Sequence, residues 1–382
     1  MNKEILFQHI DALFPQYIQF WADICELESP TTYKPGVDAV GAYCADHAIK
    51  RGWQVITHKE DVSGDAVCIV MNPDASGTPI CFSAHMDTVH PVGCFGKPAV
   101  RIEDGMIYGP GVADCKGGIA AAFLAMDALD RAGFRDRPVK LILQSDEENG
   151  SATSNKRTVE FMARMAKDCC AFLNAEPHPK GKLVLYRKGI CKFRFDITGK
   201  ACHAGICYNG VSAIAEAAKI ILELEKYKDK DGITMSCGLI SGGTATNTVP
   251  ETCSFRVDTR FATQAQRDEI LAIVHQFEEK TFHPDTKCQV TMESYRCSME
   301  LNPAKTELLD RLNCIFADAG LPQQCLTGSN GGSDAADMSG YGINAIDGFG
   351  TDGANFHKLS EQSEIATLAE AAQRLALAAV YL

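Results

Sequence analysis

Short apolar runs alternate with helix-like segments in the first half of the chain. Four runs carry few polar positions, as expected for strands that are buried on both faces of a sheet: Ala66–Met71, Ile80–Ala84, Val139–Gln144 and Ala171–Asn174. Between two of them, the Ala-rich segment Gly118–Ala132 predicts a helix that ends at Gly133. Strands that alternate with helices predict an α/β domain with a mixed, mostly parallel sheet.

The pattern changes near Arg187. Cys191–Thr198 alternates apolar and polar residues, which predicts a half-exposed antiparallel strand. The segments that follow predict a helix, two strands, a helix and a strand, at 211–226, 234–240, 251–260, 264–280 and 289–293. After Asn302 the α/β pattern returns and ends in a predicted helix, Glu364–Val380. We therefore predict one α/β domain, 1–188 and 301–382, with an inserted α+β domain, 189–300.

Composition narrows the class of protein. The 382 residues are 46% hydrophobic and 23% charged, which is ordinary for a soluble globular protein. The net charge of -12 argues against nucleic acid or an anionic membrane as the main partner. No apolar run is long enough to span a bilayer, and the amphipathic N-terminus does not resemble a signal peptide. The 17 cysteines are scattered without a CxxC pair, which favours a reducing, cytoplasmic location.

The strongest local motif is SAHMDTV, at Ser83–Val89, directly after an apolar strand. Residues i and i+2 of an extended chain point the same way, so His85 and Asp87 reach one site. That site is at the carboxyl end of a strand, where α/β sheets bind their ligands. Imidazole and carboxylate suit zinc. Alone, the pair more often marks a buried histidine that is hydrogen-bonded to its neighbour.

Further acidic residues follow other predicted strands and turns. Asp114 lies in a Gly-rich turn before the Ala-rich helix, and Glu176 follows the strand that ends at Asn174. Asp146–Glu148 places three carboxylates together, which is unfavourable unless positive charge lies among them. His357 comes late in the chain. Each of these features alone is typical of a tight turn, a solvated loop or a structural residue.

Taken together and in this order, the motifs resemble those of the M20 metallopeptidase family. They are HxD, GxGxxDxKGG, DEE, a Glu before Pro and a late His. The resemblance covers nearly the whole chain, and His85–Ser151 is especially similar to the glutamate carboxypeptidase branch. It implies a two-zinc peptidase or aminoacylase with a phosphorylase/hydrolase-like topology. It also implies that the inserted domain acts as a lid and as the dimerisation surface of a homodimer.

The resemblance assigns roles to the motif residues. Two zinc ions, or cobalt or manganese in their place, would be held by five ligands: His85, Asp114, Glu148, Glu176 and His357. Asp114 would bridge both ions, with His85 and Glu176 on one and Glu148 and His357 on the other. Glu147 would be the general base that takes a proton from water and returns it to the leaving amine. Asp87 would orient His85 by hydrogen bonding or shape the turn, and a non-proline cis bond is implied after Asp114.

Substrate contacts are implied further along the chain. His203, in a GKxxHxG segment, would stabilise the oxyanion, either in its own subunit or across a dimer. Asn247 and Arg260 would contact the substrate carboxylate. A loop similar to the family's GGTDA loop would lie against substrate, through Gly331, Gly332 and Ser333. Some relatives carry an arginine just before this loop, where this chain has Gly328–Asn330. That departure weakens the inference of glutamate-type specificity.

Alternative functions have weaker support. Gly348–Gly353 spells GxGxxG, but no following strand–helix unit supports a dinucleotide site. Gly331–Ala335 approximates a serine nucleophile elbow without the preceding apolar strand, and Cys115 or Cys202 lacks a triad. A non-catalytic metal- or ligand-binding protein on the same scaffold would need damaged ligand positions, and all are filled. We therefore predict a di-zinc hydrolase that cleaves an amide bond next to a free carboxylate, in a small peptide or N-acyl amino acid.

Overall fold

Nine α-helices and eighteen strands form in the computed structural model, which describes residues 1–382. The helices are α1 Lys3–Glu26, α2 Lys34–Ile49, α3 Lys116–Arg131, α4 Arg157–Ala166, α5 Ala213–Leu224, α6 Gln264–Glu279, α7 Pro303–Asp318, α8 Asp334–Gly340 and α9 Thr367–Tyr381. The strands are β1 Gln54–His58, β2 Ala66–Met71, β3 Ile80–His85, β4 Arg101–Glu103, β5 Met106–Tyr108, β6 Val139–Gln144, β7 Phe172–Asn174, β8 Lys182–Arg187, β9 Gly189–Thr198, β10 Cys202–His203, β11 Thr234–Gly242, β12 Thr248–Val249, β13 Thr252–Phe261, β14 Lys287–Arg296, β15 Cys325–Ser329, β16 Ala345–Asp347, β17 Gly353–Ala354 and β18 Gln362–Glu364. Two 3₁₀ turns, Glu147–Asn149 and Ala204–Asn209, complete the regular structure.

The chain divides into two compact units. The first contains Met1–Tyr186, Leu301–Gly328 and Ser333–Leu382, and the second contains Arg187–Glu300 and Ser329–Gly332. None of the helices is both long and apolar enough to cross a membrane.

The first unit is built on an eight-stranded sheet with the order β1-β2-β6-β3-β7-β16-β8-β15. The central neighbours β6, β3, β7 and β16 are parallel. β2 is antiparallel to both β1 and β6, so β1 runs in the same direction as the central strands. β8 runs antiparallel to β16. The predicted mixed, mostly parallel sheet is confirmed, and the four predicted strands match to within one residue at each end.

Burial explains why the central strands are apolar runs. All six residues of β2 and of β3 are buried, as are all three of β7. The Ala-rich helix α3 is buried from Lys116 to Leu129, and it packs against α1, α9 and β3. Small alanine side chains let neighbouring helices approach this closely, so the alanine content of α3 reflects its central position rather than helix propensity alone.

The second unit is a four-stranded antiparallel sheet, β11-β13-β9-β14, covered by α5 and α6. In β9 every second residue is buried, including Cys191, Phe193 and Phe195. These side chains join one apolar core with residues of α5 and α6. The alternating pattern of Cys191–Thr198 and the predicted order of helices and strands in this region are therefore confirmed.

One predicted element is wrong at its start. The last helix was predicted from Glu364, but Gln362–Glu364 is strand β18, and α9 begins at Thr367. β18 pairs antiparallel with β5, where Gln362 lies opposite Tyr108. With β4 and β17 they form a small four-stranded sheet. Its strands are two or three residues long and come from distant parts of the chain, so no local periodicity indicates them.

Candidate metal centre

Adjacent parallel strands deliver the acidic motifs to one edge of the large sheet. β3 ends at His85, β6 ends just before the Asp146–Glu148 segment, and β7 ends two residues before Glu176. β3 lies between β6 and β7 and is parallel to both. Their carboxyl ends therefore meet, as the position of binding sites in α/β sheets requires.

Asp114 lies between two histidines at this edge. Its Oδ1 is 3.0 Å from His85 Nε2, and its Oδ2 is 3.3 Å from His357 Nε2. Glu176 Oε1 is 3.7 Å from His85 Nε2, and Glu148 Oε2 is 3.2 Å from His357 Nε2. The structure thus brings all five predicted ligands into one cluster, which has two halves that share Asp114.

The loop of Asp114 is held by a residue that sequence reasoning missed. Glu361 is buried, and its Oε1 accepts hydrogen bonds from the backbone N–H groups of Ala113, at 3.0 Å, and Asp114, at 3.1 Å. Its Oε2 is 3.1 Å from His90 Nε2. The peptide bond between Asp114 and Cys115 is cis, as the resemblance implies. The only sequence signal for Glu361 is its position four residues after His357.

His357 reaches the cluster from the turn that joins β17 to β18. Both His357 and Asn355 have positive φ, 63° and 62°, and Asn355 Nδ2 donates to the carbonyl of Ser360 at 3.1 Å. Asparagine tolerates this conformation more readily than most residues. Because β18 pairs with β5, and β5 leads into the loop of Asp114, the small sheet places the late histidine beside the early aspartate.

Asp87 connects the histidine motif to the acidic motif. Its backbone carbonyl is 2.9 Å from His85 Nδ1, whereas its carboxylate Oδ1 is 3.4 Å from that nitrogen. The carboxylate accepts hydrogen bonds from the backbone N–H groups of Glu147 and Glu148, each at 3.1 Å, and from the Thr31 hydroxyl at 2.7 Å. The main chain of Asp87 therefore orients His85, and its side chain positions the turn that carries the two glutamates.

The three acidic residues of the DEE motif have different environments. Asp146 accepts hydrogen bonds from the Ser154 N–H and the Thr158 hydroxyl, both at 2.8 Å, so it stabilises the following turn. Glu148 lies beside His357. Glu147 is buried and begins the 3₁₀ turn. Adjacent residues of a turn point in different directions, which explains how neighbouring glutamates acquire separate surroundings.

The charges of the cluster are compatible with divalent cations. Burial raises the pKa of Glu176 well above its usual range, and the nearby charge of Asp114 raises it further. Burial also raises the pKa of Glu148 to about 7, although His357 opposes this. Hydrogen bonds with Asp114 and Glu148 raise the pKa of His357 to about 10. Positive charge beside Glu176 and Glu148 would favour their ionised forms, and a set of imidazole nitrogens and carboxylate oxygens suits zinc, cobalt or manganese.

His203 and Asn247 lie together in the second unit. Both residues are exposed. They lie on two segments that pair with each other, because His203 is opposite Thr248 in the short sheet of β10 and β12. The Asn247 carbonyl accepts a hydrogen bond from the Ala204 N–H at 2.9 Å. His203 Nδ1 accepts the Gly205 N–H at 3.0 Å. A neutral imidazole with Nδ1 as acceptor carries its proton on Nε2.

Arg260 is already paired within the second unit. Its Nε and Nη2 donate to the Asp258 carboxylate at 2.7 and 3.1 Å, and its Nη1 donates to the Asn330 carbonyl at 3.1 Å. Arg187 Nη1 donates to the carbonyls of Gly331 and Gly332, both at 3.2 Å. Two arginine side chains therefore hold the backbone carbonyls at 330–332, at the start of the predicted substrate loop.

Ser333 belongs to the first unit and caps α8. Its hydroxyl accepts the Ala335 N–H at 3.1 Å and the Asn174 side-chain N–H at 3.3 Å, and it donates to the carboxylate of Asp347. These bonds link the end of the predicted substrate loop to the large sheet, because Asn174 ends β7 and Asp347 ends β16. Ser333 thus has a clear structural function in this position.

Comparison with known proteins identifies the family. Residues 81–380 match the model of peptidase family M20/M25/M40. The chain belongs to this family. It is therefore a metallopeptidase or amidohydrolase, as the sequence predicted.

Individual relatives align over most of the chain. Carboxypeptidase G2 from Pseudomonas sp. (strain RS-16) is 27% identical, over 99% of this chain and 91% of that protein. A succinyl-diaminopimelate desuccinylase from Psychrobacter sp. (strain PRwf-1) is 25% identical, over 77% of each chain.

Solved structures share the fold. Aminopeptidase PepT from Bacillus cereus superposes with a TM-score of 0.79 at 21% identity, and the match covers 99% of this chain and 98% of that one. The Bacillus subtilis YXEP protein, described as a dinuclear metal-binding peptidase of family M20, has a TM-score of 0.74 at 16% identity, with coverages of 97% and 98%.

Proposed function

We propose that this protein is a two-zinc amidohydrolase that cleaves the amide bond next to a free carboxylate in a small peptide or an N-acyl amino acid. The observation that carries the proposal is the position of Asp114, whose two carboxylate oxygens face His85 and His357. A carboxylate so placed suits a bridge between two ions. Glu176 on one side and Glu148 on the other supply the remaining oxygen ligands.

The bound ions supply Lewis-acid activation of water and of the substrate carbonyl. The chain supplies proton transfer through Glu147, which takes a proton from the attacking water and gives it to the leaving amine. The hydrogen bond from the Glu147 N–H to Asp87 holds the base in position. Because Glu147 is buried, its carboxylate acts away from bulk solvent.

The second unit supplies recognition groups. His203 donates its Nε2 proton to the oxygen of the scissile carbonyl and stabilises the oxyanion that develops there. Its Nδ1 hydrogen bond supports this tautomer. Asn247 and Arg260 bind the substrate carboxylate. A guanidinium has five N–H donors, and the three used by Asp258 and Asn330 leave two for a carboxylate.

The activities of related proteins support this substrate class. A carboxypeptidase and a succinyl-diaminopimelate desuccinylase align with the chain, and a di-peptidase from Saccharomyces cerevisiae shares its fold. A peptide or acylated amino acid with a free carboxylate is common to these activities, and it suits the arginine and asparagine of the second unit.

The absence of disulfides among the 17 cysteines supports action in the cytoplasm.

The exposed edge of the second unit's sheet supports a homodimer. β11 is one of the two outer strands of that sheet, and its Leu239 and Ile240 are 63% and 54% exposed. On α5, Leu222 is 68% exposed. An unpaired strand edge with apolar side chains favours association with a second copy.

Hydrolysis of a substrate panel tests the proposed function. Zinc-loaded protein is incubated with dipeptides and N-acetyl amino acids, with and without a chelator, and free amino acid is measured. Chelator-sensitive release from at least one group of substrates is expected. If two ions bind per chain and nothing is cleaved, the alternative of a non-catalytic metal- or ligand-binding protein replaces the proposal.

A further inference from the structure

The Cys115 side chain lies among the proposed ligands. Cys115 directly follows Asp114 in the chain, and it has no role in the proposed reaction. It is fully buried. One ligand atom each from His85, Cys115 and Glu176 lie within 4.8 Å of one another. The Cys115 thiol donates a hydrogen bond at 3.1 Å to the carbonyl of Ala175, the residue before Glu176. The thiol therefore lies on the side of the cluster that holds Glu176.

We propose that Cys115 is a sulfur ligand of the ion held by His85 and Glu176. This inference rests on the proposed two-metal function and adds a donor to it. Zinc binds sulfur at about 2.3 Å and nitrogen or oxygen at about 2.0–2.2 Å, so ligand atoms on one tetrahedral ion lie roughly 3.5 Å apart. The three atoms lie within 4.8 Å of one another, so they would draw closer together on a shared ion. The thiol would turn from the Ala175 carbonyl, to which it now donates, towards that ion.

Coordination exchanges one bond for another at the sulfur. The thiol proton leaves to solvent, and the thiolate replaces its hydrogen bond to Ala175 with a bond to the ion. No oxidant or other reactant is required.

A sulfur ligand makes the two halves of the centre chemically different. The half with His85, Cys115 and Glu176 offers nitrogen, sulfur and oxygen, whereas the half with Glu148 and His357 offers nitrogen and oxygen only. Thiolates select zinc, cobalt and cadmium over manganese and magnesium. We therefore expect one tight position for these softer ions and a second position that accepts manganese as well.

Spectroscopy of the metal-loaded protein tests this assignment directly. Cobalt is added stepwise to the ion-free protein while absorption is recorded. A sulfur-to-cobalt charge-transfer band in the near ultraviolet is expected, together with the visible bands of bound cobalt. In the zinc-loaded protein, X-ray absorption should show a sulfur neighbour at about 2.3 Å.

A conservative variant separates coordination from structure. Cys115→Ser keeps a hydroxyl donor for the Ala175 carbonyl, so it should fold and bind cobalt but lose the near-ultraviolet band. It should also bind zinc at least tenfold more weakly at one position, with a smaller change for manganese. Cys44→Ala, at a cysteine that is equally buried in α2, is the matched control and should keep the band.

The outcomes distinguish this inference from the proposed function. An active protein with two ions, no sulfur neighbour and no charge-transfer band overturns the role of Cys115 and leaves the proposed function intact. A protein that binds no metal overturns both. If Cys115→Ser does not fold, the spectra of the unaltered protein still decide, because they need no variant.

Discussion

Glu361 accepts a hydrogen bond from the backbone N–H of Asp114 at 3.1 Å, across 247 positions of the chain. The same oxygen accepts the Ala113 N–H. Glu361 lies four residues after His357, so one carboxylate ties the segment of a late ligand to the loop of an early one. We therefore expect this contact to help maintain the spacing between the two halves of the metal centre.

Glu361→Ala should therefore weaken metal binding without removing a ligand. It leaves the N–H groups of Ala113 and Asp114 without their acceptor, and a buried group of this kind costs about 1–3 kcal/mol. The affinity for the metal should fall at least tenfold. It is measured from the metal that the protein retains after dialysis against increasing concentrations of a chelator. Glu361→Gln keeps a carbonyl acceptor and should restore most of the binding. Equal loss in both variants would contradict a positioning role through these hydrogen bonds.

Substitutions at Glu147 and at His85 should have different effects on catalysis and on metal binding. Glu147→Ala should keep both ions but lose about 10²–10⁴-fold in turnover, because proton transfer is removed while the ligands remain. His85→Ala should lose at least one ion. Metal content and kcat are measured on the same preparations. Substantial activity in Glu147→Ala would show that another group is the base.

The two glycines of the predicted substrate loop offer a matched pair of substitutions. A Cβ on Gly332 would lie 2.5 Å from Arg296 Cδ, whereas the nearest atom to a Cβ on Gly331 would be 3.7 Å away. Gly332→Ala should therefore displace the loop or the arginine and raise KM several-fold with metal content unchanged. Gly331→Ala should change KM little. If both variants resemble the native protein, the loop does not contact substrate.

His47 should make stability depend on pH. Burial lowers its pKa from 6.5 to about 4, and the charge of Arg51 lowers it further. The imidazole contacts the Tyr17 hydroxyl at 3.1 Å and the ring of Phe20. The unfolded chain binds the proton more readily, so this contribution to stability is complete above about pH 6.5 and is lost as pH falls towards about 4.

Urea unfolding at pH 7.5 and pH 5 measures this effect. The free energy of unfolding should fall more between the two values for the native protein than for His47→Gln, which does not titrate in this range. The difference between the two proteins isolates His47, because the other titrating groups are common to both. An equal fall in both would show that His47 has an ordinary pKa.

Association should depend on the β11 edge. Leu239→Glu combined with Ile240→Glu places charge on the exposed strand, so light scattering should show a monomer where the native protein is a dimer. Ile49→Glu, at an apolar residue of α2 that is 61% exposed, is the control and should remain a dimer. A monomeric native protein, or a double variant that stays dimeric, would exclude this interface.

Local sequence was sufficient for much of the fold and for the candidate ligands. β2, β3 and β6 are apolar because both faces of the central sheet are covered, and burial of this kind leaves a continuous pattern in the sequence. The alternation of β9 reflects one buried face. The order of acidic and histidine motifs indicated the family, because metal chemistry restricts which residue types are able to fill each position.

Only the tertiary structure decided how these residues are held. Glu364 lies in a strand because β18 pairs with β5, and a sequence read locally shows no partner so far away. The same pairing brings His357 to Asp114. Asp87 orients His85 with its backbone carbonyl rather than its carboxylate, and Glu361 supports the Asp114 loop. Hydrogen bonds between distant segments form only when the fold brings those segments together. Such contacts produce no periodic pattern of apolar and polar residues in the sequence.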